Sequence, residues 1–194
     1  MALATELPLE SFLTSTLLVA LAEIGDKTQL LSFVLAARLR KPLPIILGIL
    51  FATLANHALA GSLGVWLATF LSPGAQRWAT AIAFFVFAAW ALVPDKFEDR
   101  GTTTSRGAFV TTLVAFFIVE MGDKTQLATI ALGTRYREVI PVVLGTTLGM
   151  MIANVPAVLV GEALATRINM KVMRYVAAGL FVVTGLLALF ASAG

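Results

Sequence analysis

Residues 23–30 read Glu-Ile-Gly-Asp-Lys-Thr-Gln-Leu, and residues 120–127 read Glu-Met-Gly-Asp-Lys-Thr-Gln-Leu. Each copy places two carboxylates, an ammonium, a hydroxyl and an amide in the middle of an apolar run. A charge at the centre of a hydrocarbon layer costs roughly 2.5–3.5 kcal/mol on insertion scales. Ion pairs that only clamp two helices together are the plain explanation. One cation site built from both copies explains better why the cost is met twice. Glu23, Asp26, Glu120 and Asp123 are then the expected metal ligands. Four carboxylates and two lysines leave a charge of −2, which one divalent ion cancels. Two protons cancel it equally well on carboxylates held away from water. A site neutral with either load meets the electrostatic requirement for exchange.

The remaining motif residues are expected to support this site. On a regular helix, at 100° per residue, Glu23, Asp26, Lys27 and Gln29 share one polar stripe, as do Glu120, Asp123, Lys124 and Gln126. Lys27 lies one turn beyond Glu23 and Lys124 one turn beyond Glu120, the favourable order for an ion pair within a helix. An ammonium has no lone pair, so the lysines tune the site and do not bind metal. Thr28 and Thr125 point away from the stripe, where they could cap an unwound turn or bond a neighbour. Gly25 and Gly122 allow either such unwinding or a close helix approach. The ligand set is oxygen-rich, with no cysteine and a single histidine. It suits Ca²⁺, Mn²⁺ or Mg²⁺ over Zn²⁺ or Cu⁺. His57 and its partner in the repeat, Asn154, are secondary candidates for proton or metal handling, with packing and helix–helix hydrogen bonds as their ordinary roles. Asn56 reads as a helix–helix bond, Glu162 as a solvated carboxylate and Met150-Met151 as packing or lipid-facing.

The elements that must hold these residues are membrane helices. Of 194 residues, 59% are hydrophobic and 13% charged, with mean hydropathy +0.92; soluble domains carry about 25% charged residues. Hydropathy, with Gly, Pro and charge as punctuation, predicts six segments near 10–37, 43–70, 77–94, 107–134, 140–166 and 172–192. The absence of cysteine excludes disulfides, thiolate metal sites and thiol redox chemistry. The net charge of +3 does not point to nucleic acid. Residues 1–10 carry no basic stretch, so no cleaved signal peptide is expected.

The two halves align without a gap at one offset of 97 residues, from Glu23 to Glu120. The same offset pairs Phe12 with Phe109, Arg38 with Arg135, Arg40 with Arg137, Pro44 with Pro141, Gly48 with Gly145 and Gly64 with Gly161. The expected fold is all-α: one integral membrane domain of two three-helix repeats, residues 1–97 and 98–194. An odd number of spans per repeat inverts the second repeat, the arrangement of secondary transporters with a site at the repeat interface. Nine basic residues fall on the side of the first, third and fifth connections and three on the other side. That asymmetry places those connections in the cytoplasm and both termini outside.

Two copies of Glu-x-Gly-Asp-Lys-Thr in a six-helix chain resemble the Ca²⁺:H⁺ antiporter-2 family, which includes Golgi cation–proton antiporters, chloroplast manganese transporters and bacterial manganese exporters. Both copies match that family's motif at every fixed position: Glu23, Gly25, Asp26, Lys27, Thr28, and Glu120, Gly122, Asp123, Lys124, Thr125. The resemblance covers essentially the whole chain. It implies a non-enzymatic carrier that exchanges Mn²⁺ or Ca²⁺ for protons without a resident cofactor, its partners being the ion, protons and the bilayer. With no long N-terminal extension, a compact bacterial member of the inner membrane, exporting Mn²⁺, is the expectation. A passive cation channel, an amino-acid exporter and an intramembrane phosphatase remain alternatives. The phosphatase would need interfacial cations to hold phosphate, whereas these motifs are central and net acidic. Oligomeric state is not legible.

Overall fold

In the computed structural model, residues 3–93, 107–160 and 170–190 are described, and every regular element among them is a helix. These are α1 (Leu3–Glu23), α2 (Lys27–Leu39), α3 (Pro42–Ala68), α4 (Pro73–Ala91), α5 (Ala108–Glu120), α6 (Lys124–Tyr136), α7 (Val139–Val160) and α8 (Met170–Phe190). The central polar segment, Gly161, Glu162 and Arg167 lie outside the described residues.

Local signals account for the boundaries. Pro42 and Pro73 open their helices where a missing N–H costs nothing. The Ser72 hydroxyl caps α4 by accepting from Ala75 N–H at 3.3 Å. Arg40 (φ 49°) and Arg137 (φ 57°) end α2 and α6 in left-handed conformation and bond back to Ala36 O and Gly133 O. Helix starts at 27, 42 and 73 recur at 124, 139 and 170, the offset already seen in the residues.

The first and fourth hydropathy segments are not continuous helices. Each breaks at its motif, and between Pro8–Glu23 and Lys27–Leu39 the axis turns by 69°. Among the described residues, α3 and α7 are long and apolar enough to cross a bilayer, and α1 with α2 makes a third span if the bent pair counts as one. The break at Gly122 leaves α5 and α6 as 13-residue helices, each too short to span alone.

The halves interlock. α1 packs along α7, and its repeat mate α5 packs along α3. Gly48 and Gly145 are points of close approach in these two pairs. A Cβ on Gly48 would lie 2.7 Å from Thr112 Cβ and 2.9 Å from Phe109 O; one on Gly145 would strike Phe12 O and lie 2.9 Å from Ser15 Cβ. α4 and α8 close the bundle through the stacked rings of Phe84 and Phe181, 6.1 Å apart. Gly48→Val and Gly145→Val should therefore each destabilise the fold by about 1–3 kcal/mol through overpacking. Lower thermal midpoints in detergent would be the readout, and unchanged melting would contradict the close approach.

The polarity of this bundle is reversed relative to a water-soluble one. Leu43, Leu47 and Phe51 of α3, and their mates Ile140, Leu144 and Leu148 of α7, are exposed, while Glu23, Asp26, Glu120 and His57 are buried. Such apolar outer stripes require an apolar solvent. The protein is a helical membrane protein.

Candidate ion site at two broken helices

Gly25 (φ 87°) and Gly122 (φ 79°) make the breaks. At that φ a side chain costs about 1–2 kcal/mol, which glycine avoids. Nothing lies within 4 Å of a Cβ placed on Gly122, so the penalty there is conformational alone. Gly122→Asn should accordingly be tolerated better than Gly122→Val. Equal loss of stability in the two variants would show that space, not φ, decides.

The break redistributes the motif. Glu23 and Glu120 close α1 and α5, whereas Asp26 and Asp123 stand as N-cap residues of α2 and α6. The single stripe expected on a regular helix is therefore replaced by two facing helix ends. Gln29 Oε1 accepts from Gly25 N–H at 3.0 Å, and Gln126 Oε1 from Gly122 N–H at 2.6 Å. Both glutamines thus hold the turn through the atom otherwise available to an ion. Thr28 Oγ1 donates to Glu23 Oε2 at 2.5 Å, and Thr125 Oγ1 reaches Glu120 Oε2 at 3.5 Å. The threonines bridge the break, one of the two roles their position left open.

The lysines pair differently from the sequence expectation. Lys27 Nζ lies 2.9 Å from Asp123 Oδ2, and Lys124 Nζ lies 2.5 Å from Asp26 Oδ1. Each lysine crosses to the other repeat's aspartate instead of to the glutamate one turn back on its own chain. The physical reason is the break: it ends the helical register between residues 23 and 27 and brings the two turns face to face. The pairs are unequal in environment. The Lys124 and Asp26 side chains are 5% and 0% exposed, whereas Lys27 is 26% exposed against 3% for Asp123.

All four carboxylates are thus brought together and buried. Glu23 Oε1 and Glu120 Oε1 have no hydrogen-bond partner. With the aspartates held by lysine, no three of the described His, Asp and Glu side chains form a group ready to hold a metal.

The secondary candidates lie on α3 and α7. Asn154 Oδ1 accepts from Ser32 Oγ at 2.8 Å, and its amide donates to Met150 O at 3.1 Å. Gln29 Nε2 donates to Ala153 O at 3.0 Å, so α7 grips α2 through two polar bonds. Asn56 Nδ2 donates to Phe117 O at 3.1 Å. Both asparagines have helix–helix bonds. His57 is fully buried with neither ring nitrogen hydrogen-bonded. Met150 is buried packing, not lipid-facing.

A family model described as "Divalent cation/proton antiporter GDT1" matches residues 11–99 and 108–194. The chain belongs to the GDT1 family. The starts of the two matched spans are again 97 residues apart, and the family is the kind of cation–proton exchanger that the doubled motif resembles. A Vibrio cholerae protein named "Putative manganese exporter" is 51% identical over 173 residues, covering 89% of this chain and 86% of that protein. GDT1-like protein 5 of Arabidopsis thaliana is 29% identical over 221 residues, covering 92% and 94%. GDT1-like protein 4 of Oryza sativa subsp. indica is 29% identical over 187 residues, covering 82% and 66%. No solved structure matches. For a GDT1 protein, two broken helices meeting in a buried cluster of carboxylates and ammonium groups are the natural place to seek the exchanged ion.

Proposed function

We propose that this GDT1 protein exports Mn²⁺ from the cytoplasm in exchange for protons, through one site formed by Glu23, Asp26, Glu120 and Asp123. The observation that carries the reading is the pair of crossed bridges, Lys27–Asp123 and Lys124–Asp26, which joins the two motifs into one buried cluster. The choice of Mn²⁺ over Ca²⁺ rests on the name of the Vibrio cholerae relative; oxygen ligands accept either ion.

In this reading the lysines occupy the aspartates while the divalent ion is away. An arriving cation displaces at least one ammonium and gains the freed carboxylate oxygens. Glu23 Oε1 and Glu120 Oε1 need no such displacement, having no hydrogen-bond partner to lose. The helix ends contribute as well. α1 and α5 terminate at the cluster, where Glu23 O and Glu120 O accept from Asp26 and Asp123 N–H across the break, and the carbonyls of a helix end carry partial negative charge. They supply neutral oxygen ligands of the kind that broken helices provide in transporters. Protons and the divalent ion compete for the same carboxylates, which is the source of coupling.

The topology proposed is six spans in two inverted three-helix repeats, with α1–α2 and α5–α6 each forming one broken span. The bacterial inner membrane is the setting, with connections one, three and five in the cytoplasm and both termini outside, from the distribution of Arg and Lys.

Purified protein in proteoliposomes tests this directly, with Mn²⁺, Ca²⁺, Mg²⁺ and lysine each offered with and without a pH gradient. Mn²⁺ flux driven by the gradient is expected. Flux indifferent to the gradient would favour a channel, and lysine flux would favour an amino-acid exporter.

A further inference from the structure

We propose that the corner between α6 and α7 is a latched gate, tied by polar groups that the sequence does not repeat at the offset of 97. The inference rests on the transporter reading above and adds which face of the site is held shut, and by what. Thr134 Oγ1 of α6 lies 3.0 Å from Gly64 O of α3 and 2.9 Å from Ile130 O one turn back, and its one proton is shared between these two acceptors. Arg137, which ends α6, donates to Gln76 Oε1 of α4 at 2.7 Å and to Ala68 O of α3 at 3.4 Å. Gln76 Nε2 returns a bond to Thr134 O. Gln76 thus stands between two α6 residues, accepting from one and donating to the other. On the neighbouring edge, Ser11 Oγ of α1 donates to Glu138 Oε2 at 2.7 Å.

The same α6 begins in the ion site, at Lys124 beside Asp123. Its 13 residues form a rod of about 20 Å, hinged at Gly122 and pinned at the far end by the latch. Releasing the pin frees α6 to swing about the break, and the site then opens toward this corner.

The sequence does not repeat these groups at the opposite corner, between α2 and α3, whose counterparts of Gly64 and Ala68 lie outside the described residues. At the offset of 97 the sequence has Ala37 for Thr134, Met173 for Gln76, Lys41 for Glu138 and Ala108 for Ser11. Only the arginine is kept, as Arg40. Two halves that agree in motif, breaks and close helix contacts therefore differ in the polar groups that tie one corner down. The two corners are thus not held by the same bonds, and these bonds hold the α6–α7 corner closed.

The chain has no cysteine, so an introduced thiol reports alone. Ala68 is 1% exposed, and its carbonyl accepts from Arg137. Ala68→Cys, in protein reconstituted in nanodiscs, is labelled with a water-soluble thiol reagent in the parent and in two latch variants. Thr134→Val removes one neutral hydrogen bond and keeps the shape; Gln76→Leu removes a charge-assisted bond and a neutral one. Labelling should be severalfold faster in Thr134→Val and tenfold or more faster in Gln76→Leu, because hydrogen bonds to charged groups contribute more than neutral ones. Thr69→Ala, which loses only a bond to Trp66 O in its own helix turn, should label like the parent. Unchanged labelling in folded Thr134→Val and Gln76→Leu, or an equal rise in Thr69→Ala, overturns the latch. Because labelling needs no transport, it stands or falls separately from the assigned function. In a second arm, a reducible bifunctional reagent joins Ala68→Cys to Arg137→Cys. Transport should stop on cross-linking and return on reduction, and transport that persists through the cross-link overturns the gate.

Discussion

Lys124→Met is expected to lower stability by about 3–5 kcal/mol, the cost of leaving a buried charge without its partner. Asp26, at 0% side-chain exposure, would keep its carboxylate 2.5 Å from an ammonium no longer there. Lys27→Met should cost clearly less, since Lys27 is 26% exposed and solvent offsets part of the loss at Asp123. The diagnostic variant is the double one, Lys124→Met with Asp26→Asn. Removing both charges restores a neutral pair, and much of the lost stability returns. Thermal melting of the four proteins in one detergent checks the series. Equal losses in the two lysine variants, or no recovery in the double variant, would show that the crossed bridges are not what the buried aspartates depend on. The recovered protein should still fail to transport, because an ion ligand has been removed along with the charge.

The residues made part of this arrangement legible in advance. The doubled motif identified the acidic cluster, and the single offset from 23 to 120 also relates the helix starts and the close contacts of Gly48 and Gly145. The breaks were only permitted, not required, by the sequence. Gly25 and Gly122 fit either an unwound turn or a tight helix crossing, and hydropathy runs straight through both. The lysine pairing was missed because spacing rules for helices describe neighbours one turn apart. Lys27 and Asp123 are 96 positions apart and meet only once both helices have broken. Spacing alone makes the glutamines auxiliary ion-site groups, while their carbonyl oxygens hold the Gly25 and Gly122 N–H groups. The corner tied by Thr134, Gln76 and Arg137 gave no signal at all, since each is an ordinary polar residue near a helix end. Its distinctness appears only when the structure shows the contacts and the repeat offset shows what replaces them.

Glu23→Gln and Glu120→Gln should separate stability from transport more sharply than any other change. Gln is nearly the size of Glu and can still accept from Thr28 or Thr125, so the bridge across each break survives. The close ion pairs of Lys27 and Lys124 are with Asp123 and Asp26, and the ammonium charges also act on the two glutamates. Both glutamates are fully buried, so removing the charge relieves a desolvation cost that offsets the lost attraction to the lysines, and thermal midpoints near the parent value are expected. Transport should behave in the opposite way. The loss of one carboxylate leaves the site at −1 with its lysines in place, too little to balance a divalent ion. Removing groups that only support a metal ligand commonly costs 10–100-fold in affinity, and loss of a ligand should cost at least about 100-fold. Cells that depend on this protein for Mn²⁺ resistance should become sensitive with either glutamine variant, and equally with Asp26→Asn or Asp123→Asn. Full resistance in all four variants at matched membrane expression would place the ion elsewhere. His57, buried with both ring nitrogens unbonded, and Asn154 would then be the residues to change next.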